Sequence, residues 1–122
     1  MKATGPQSAQ KKTVIRLLEK RFSETRQPVW KTIARVLGGP RRNEVRVNAG
    51  KIGIFGKLFP GKTLVVPGKV LSAGNVEGAV RVVAYQFSEQ AAEKIRKSKG
   101  QVVELESFLE SKSKASDIVL VK

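Results

Sequence analysis

The spacing of apolar residues changes near Thr63, and that change restricts the chain to a fold that mixes helices with short strands. Before it, Ile15, Leu18 and Phe22 recur at helical intervals among Lys11, Lys12, Arg16, Glu19 and Lys20, which predicts a basic amphipathic helix. Pro28 suits the first turn of a second helix, whose Trp30, Ile33, Ala34 and Leu37 form an apolar stripe with Lys31 and Arg35 off it. At that spacing Trp30 is expected in the core. Gly38-Gly39-Pro40 predicts the stop, by a positive φ and then a residue that cannot continue a helix. After Thr63, Leu64-Val65-Val66 and Val80 to Tyr85 are β-branched runs, with Pro67-Gly68 and Gly74-Asn75 between them as turn signals.

The remaining third alternates in the same way. Ser88 is placed to cap a helix with Ala91, Ala92 and Ile95 facing inward. Its late Lys94, Arg96, Lys97 and Lys99 complement the helix dipole, and Gly100 ends it. Val102-Val103, a short helix around Leu105, Phe108 and Leu109, and a strand from Ile118 to Val121 follow. The fold class expected is α/β, a small core over 61–122 preceded by a basic N-terminal helical arm. At 122 residues the chain is one domain. A domain of this size buries roughly two thirds of its unfolded surface. Residues 1–10, with Gly5, Pro6 and Ser8, read as a flexible tail, and 11–60 as the helical arm and an arginine loop.

Cysteine and histidine are both absent, which removes disulfides, thiol nucleophiles, imidazole bases and the usual zinc ligands. No metal or cofactor is expected, nor a small-molecule substrate. Arg16 interrupts the first apolar cluster, and no later run approaches the length of a bilayer span, so no membrane association or signal peptide is expected.

Charge supplies the functional direction. Fourteen of the 24 basic residues, but only three of the ten acidic ones, lie in the first sixty positions, so most of the net +14 is carried there and a polyanion is the natural partner. Within that half, Pro40-Arg41-Arg42-Asn43-Glu44-Val45-Arg46-Val47-Asn48 follows directly on an amphipathic segment. Arginine forks phosphate oxygens and stacks on bases, so Arg41, Arg42 and Arg46 suit a folded RNA, with Asn43 and Asn48 able to reach 2′-hydroxyls or base edges. Lys31 and Arg35 on the second helix, and Lys69 beside Pro67-Gly68, extend the candidate set. The alternative for each is a solvated basic face.

One motif points elsewhere. Gly56-Lys57-Leu58-Phe59-Pro60-Gly61-Lys62-Thr63 satisfies G-x-x-x-x-G-K-[ST], in which glycine backbone amides cradle phosphates and the lysine and hydroxyl serve phosphate and magnesium. A true P-loop needs a helix starting at its lysine, but Thr63-Leu64-Val65-Val66-Pro67-Gly68 is β-branched and then broken by proline. No apolar strand ends in an aspartate to hold magnesium, since Asp117 precedes its strand. The segment is read as a turn whose lysines are solvated or touch RNA phosphate. The sequence leans against two rival functions, a phosphate-binding enzyme for want of magnesium ligands and a nonspecific or DNA-packaging basic protein for its ordered core.

Val29-Trp30 with Ile33-Ala34, Pro40-Arg41-Arg42, Val47-Asn48 with Gly50-Lys51-Ile52, Val66-Pro67-Gly68-Lys69-Val70-Leu71 with Gly74, and Val83-Ala84 with Phe87-Ser88 and Ala91 occur in that order. Together they resemble the archaeal and eukaryotic ribosomal protein family L-eighteen-e. The segment from Lys69 to Gly74 followed by Phe87-Ser88 is also similar to the related bacterial-type L-fifteen proteins. The resemblance covers nearly the whole chain from about residue 8, and the short chain is similar to archaeal members. It implies a core of irregular strand-strand-helix turns and a cytoplasmic, ribosomal location. It further implies a structural, non-enzymatic role on large-subunit ribosomal RNA beside neighbouring large-subunit proteins, and adds Lys51 to the candidate RNA contacts. One departure is the segment Gly53 to Lys62, with Gly53, Gly56, Pro60 and Gly61 where the helix begun near Asn48 is expected to run on.

Overall fold

A computed structural model describes residues 6–39, 44–110 and 118–122, with the side chains of the first helix described from Gln10 onward. Its elements run α1 (Pro6–Thr25), α2 (Pro28–Leu37), β1 (Val45–Asn48), α3 (Ala49–Leu58), β2 (Thr63–Leu71), β3 (Arg81–Phe87), α4 (Glu89–Lys97), β4 (Gln101–Glu104), α5 (Leu105–Glu110) and β5 (Ile118–Leu120). All described strand pairings are parallel, in the order β1-β2-β3-β4. Strand β5 pairs with the first residues of β2, Thr63 to Val65, and β1 with its last, Gly68 to Leu71, so both share the edge of β2 left free by β3.

A parallel sheet must be covered on both faces, and its strands therefore read as nearly unbroken apolar runs. That is the character of β2 and of Val82 to Tyr85 in β3. Alternate side chains feed two cores. Val65, Val83 and Tyr85 pack with Val14 and Leu18 of α1, Trp30, Ile33 and Leu37 of α2, and Leu105, Phe108 and Leu109 of α5. Leu64, Val66, Val70, Val82 and Ala84 pack on the other face with Ile52 of α3 and Ala91 and Ile95 of α4. The molecule is thus a helix–sheet–helix sandwich.

The two N-terminal helices are therefore a layer of the core. Trp30 is fully buried, lies 6.2 Å from the Phe108 ring and donates its indole N–H to Gln27 Oε1 at 2.9 Å. Arg21 is buried as well: its guanidinium donates to the Leu109 carbonyl at 2.7 Å and stands over the Trp30 ring. The basic character of α1 is thus partly internal. The helix also begins at Pro6, so Pro6 to Gln10 have helical backbone where a flexible tail was expected.

Three local expectations change. Helix α2 stops after Leu37, but Gly38 has φ −81, so right-handed backbone and not a positive φ makes the cap. Residues Val45 to Asn48 form a strand where a loop was expected. Pro67-Gly68 lies inside β2, where the pairing with β3 shifts register between Val66 and Lys69. A bulge tolerates proline because the amide it lacks is not needed there. The glycine is demanded by β1, since a Cβ on Gly68 would stand 2.1 Å from the Val45 carbonyl oxygen.

Elsewhere most local signals act as expected. Pro28 sits in the first turn of α2, and Ser88 Oγ accepts from the Ala91 amide at 3.1 Å to cap α4; that helix stops at Lys97, short of the stop expected at Gly100, and Lys99 lies beyond it at φ +67. Gly74, at φ +89, occupies a true turn between β2 and β3. Lys94 of α4 holds that turn by donating to the Ser72 and Gly74 carbonyls.

Candidate nucleic-acid interface

Strand β1 presents Val47 inward, against the core shared with α3 and α4, so Arg46 and Asn48 project from the opposite sheet face and are exposed. On β2, Val70 is likewise inward and Lys69 points away with Arg46. The parallel register pairs Val45 with Gly68, Arg46 with Lys69 and Asn48 with Leu71. Arg46 and Lys69 are therefore side-by-side cations on strands about 4.8 Å apart. Glu44 approaches Arg46 at 3.9 Å, but with the arginine side chain 66% exposed this contact is weak.

Lys69 and Asn48 also line an open depression at the carboxyl ends of β1, β2 and β3, closed on one side by Ser88, Glu89 and Gln90 at the start of α4. In parallel α/β sheets this end is where ligands are bound. Ser72 and Gln90 meet across it, Oγ to Oε1 at 3.1 Å. Gln86, partnered in register with Lys69, continues the polar row on β3. Sequence reasoning missed Ser72, Gln86 and Gln90. For Ser72 and Gln86 the available signal was a polar residue near the end of each β-branched run; Gln90, in the first turn of α4, carried none.

The other predicted residues divide. Arg35 is exposed in the last turn of α2, and Lys31, one turn earlier, is exposed with its ammonium 5.7 Å from the Phe22 ring. Lys51 belongs to α3, on the opposite side of the sheet, where its ammonium donates to the Lys122 carbonyl at 2.7 Å and lies over Phe55. It does not join Arg46 and Lys69. Arg41, Arg42 and Asn43 lie outside the described residues.

The P-loop match has the reverse of the required geometry. Gly56, Lys57 and Leu58 end helix α3, Gly61 turns at φ +78, and Thr63 opens strand β2. A helix entering and a strand leaving give the motif no helix N-terminus to face a phosphate. No group of three or more carboxylates that could hold a metal ion occurs among the described residues.

Under the α2 layer, a narrow cleft lined by Lys11, Leu37, Glu44, Val45, Gly68 and Tyr85 separates helix from sheet. Tyr85 is held above its ordinary pKa of 10.0, first by burial and then by the negative charges of Glu106 and Glu44. The phenol is thus neutral, with Lys11 6.0 Å from its ring.

Comparison with known proteins decides the family. Residues 18–103 match a family of ribosomal proteins described by its 50S-L15 and 50S-L18e members together with a 60S member. The chain belongs to this family. It is 39% identical to the large ribosomal subunit protein eL18 of Archaeoglobus fulgidus over 89% of this chain and 92% of that one. With eL18 of Methanospirillum hungatei the identity is 41%, over 84% of each chain. With that of Methanopyrus kandleri it is 35%, over 98% of this chain and 96% of the relative. The family match starts within α1 and ends in β4, so it contains Lys31, Arg35, Arg46, Asn48, Lys51 and Lys69. A family of ribosomal proteins, not of enzymes, accounts for the chain. None of its described helices is long and apolar enough to cross a membrane.

Proposed function

We propose that this protein is a structural constituent of the large ribosomal subunit in the cytoplasm, where it binds and stabilises large-subunit ribosomal RNA and supports subunit assembly and translation. The observation that carries the site assignment is the register pairing of Arg46 with Lys69. Two cations side by side on one face repel each other, and an RNA phosphate between them turns that repulsion into two charge-assisted hydrogen bonds. Asn48, beside them, can donate to and accept from a ribose 2′-hydroxyl. Lys31 and Arg35 extend the contact along α2. Arg41, Arg42 and Asn43 are assigned to the same interface by their residue types and position in the sequence. Lys51 stands apart from these contacts, because α3 carries it to the other side of the sheet.

No chemical step is involved. The chain positions RNA, using arginine geometry for fit and the net +14 for attraction. The test is sedimentation: the protein is expected to travel with large subunits and to remain through a moderate salt wash. Release from the subunits by that wash, equal affinity for duplex DNA, or magnesium-dependent nucleotide binding lost in Lys62→Ala would each contradict the reading.

A further inference from the structure

Helix α3 exposes an apolar ridge that the fold itself leaves uncovered. Ile54 is 59% exposed, Leu58 65% and Phe59 39%, the exposed large hydrophobic residues among those described. Ile54 and Leu58 are one helical turn apart and so share a side of the helix. The cause lies on the inner face, where α3 carries Gly50, Gly53 and Gly56. A Cβ on Gly53 would lie 2.7 Å from the Asn75 carbonyl oxygen, and one on Gly56 would lie 2.4 Å from Val80 Cγ1. Backbone contact through these glycines presses the helix against residues 74–80 and fixes its rotation. Ile52 is then buried, while Ile54 and Leu58 point outward.

The segment that carries the ridge is basic. Lys51, Lys57 and Lys62 lie on the same segment, and no carboxylate occurs in the sequence between Glu44 and Glu77. Glu77 reaches Lys57 at 3.1 Å, but that pair is exposed on both sides, 68% and 74%, and is readily exchanged.

We propose that the Ile54–Leu58–Phe59 ridge is a docking surface for a neighbouring protein of the large subunit, one that presents an apolar strip rimmed by carboxylates. The proposal rests on the ribosomal reading above. Three occupants can be weighed. RNA satisfies the lysines but offers phosphate and ribose to the ridge, and it stacks bases on aromatic faces, whereas the most exposed side chains here are aliphatic. A second copy of this chain would bring another net +14 and the same lysines into contact. An acidic-rimmed protein satisfies both features, with apolar burial at the centre and ion pairs around it.

The experiment places a benzoylphenylalanine photocrosslinker at Leu58, or in a second variant at Ile54, in the full chain assembled into large subunits, with the same label at Arg35 for comparison. Light should join positions 58 and 54 to a ribosomal protein peptide rich in Asp and Glu, and position 35 to ribosomal RNA. The double reversal Lys51→Glu with Lys57→Glu should lower the protein crosslink at least fivefold. Crosslinks from 58 and 54 to RNA or to a second copy, or none while position 35 reaches RNA, overturn the docking surface but leave the ribosomal reading intact. So does a protein crosslink indifferent to the charge reversal. Failure of the unlabelled wild-type chain to enter subunits overturns the ribosomal reading, and the docking surface with it.

Discussion

Arg46 on β1 and Lys69 on β2 are partnered residues of a parallel ladder, so an exposed and a half-buried cation stand next to each other on one sheet face. Like charges on directly paired strand residues destabilise a folded protein, on the order of the roughly 0.2–1 kcal/mol that a favourable pair contributes. On the proposed reading, the arrangement trades a little stability for affinity toward RNA phosphate. Lys69→Gln should leave the free protein as stable as wild type or a few tenths of a kcal/mol more stable at low salt. The difference should vanish at high salt, and affinity for RNA should fall. Paired denaturant titrations at the two salt concentrations check the first part. A destabilised Lys69→Gln at low salt would mean that the two charges are not in conflict.

Gly68 is where β1 is admitted to the sheet. With the Val45 carbonyl oxygen 2.1 Å from any Cβ at this position, Gly68→Ala must push the strands apart or expel β1. A loss of about 3 kcal/mol is expected, at the upper end for overpacking. Because β1 carries Arg46 and Asn48, RNA binding should weaken in the same variant. Chemical denaturation gives the first quantity and a filter-binding isotherm the second.

Tyr85 is the only tyrosine, so the absorbance of tyrosinate reports on it alone. Burial and the charges of Glu106 and Glu44 raise its pKa, which means the fold favours the protonated phenol. Its contribution to stability is whole below the unfolded value of 10.0 and is lost as pH rises through the higher folded value. Ultraviolet titration should show a midpoint above 10.0 in the native protein that returns toward 10.0 in denaturant. Tyr85→Phe should remove this part of the alkaline loss of stability. A native midpoint at or below the denatured one contradicts the buried position of the ring.

Arg21 shows that an arginine in the basic half can belong to the core. Replacing it by Met removes its hydrogen bond to the Leu109 carbonyl and its cation over Trp30. The cost should be about 2 kcal/mol, typical of a buried bond to a charged donor. In the folded variant, RNA affinity should change far less than in Arg46→Gln. Thermal melts read beside binding isotherms separate the two effects.

Much of this architecture could be read from residues. The stripe of Trp30, Ile33 and Leu37, the proline start of α2, the Ser88 cap and the apolar runs of β2 and β3 are local signals that the tertiary structure respects. The misreadings have a common cause, in that the deciding contact is distant in sequence. Pro67-Gly68 carries the chemistry of a turn, yet β1 arrives from more than twenty residues upstream and makes it part of a strand. Gly53 and Gly56 look like helix breakers, but the approach of residues 75–80 makes them packing positions inside α3. Arg21 looks solvated until α5 supplies its carbonyl. The candidate interface was legible as a set of residue types. Its division was not, because only the register puts Arg46 beside Lys69 and only the course of α3 carries Lys51 to the other face.

If RNA is held electrostatically through the face bearing Arg46 and Lys69, as proposed, its binding must weaken steeply as salt rises. Affinity for a structured fragment of large-subunit ribosomal RNA should fall with a log–log slope near −4 or steeper, since six contacts each contribute roughly −0.7 to −0.9. In Arg46→Gln with Lys69→Gln the slope should become shallower by about 1.5, one share for each lost phosphate contact. A wild-type isotherm that is nearly flat between low and physiological salt, or a double variant with an unchanged slope, would contradict the claim.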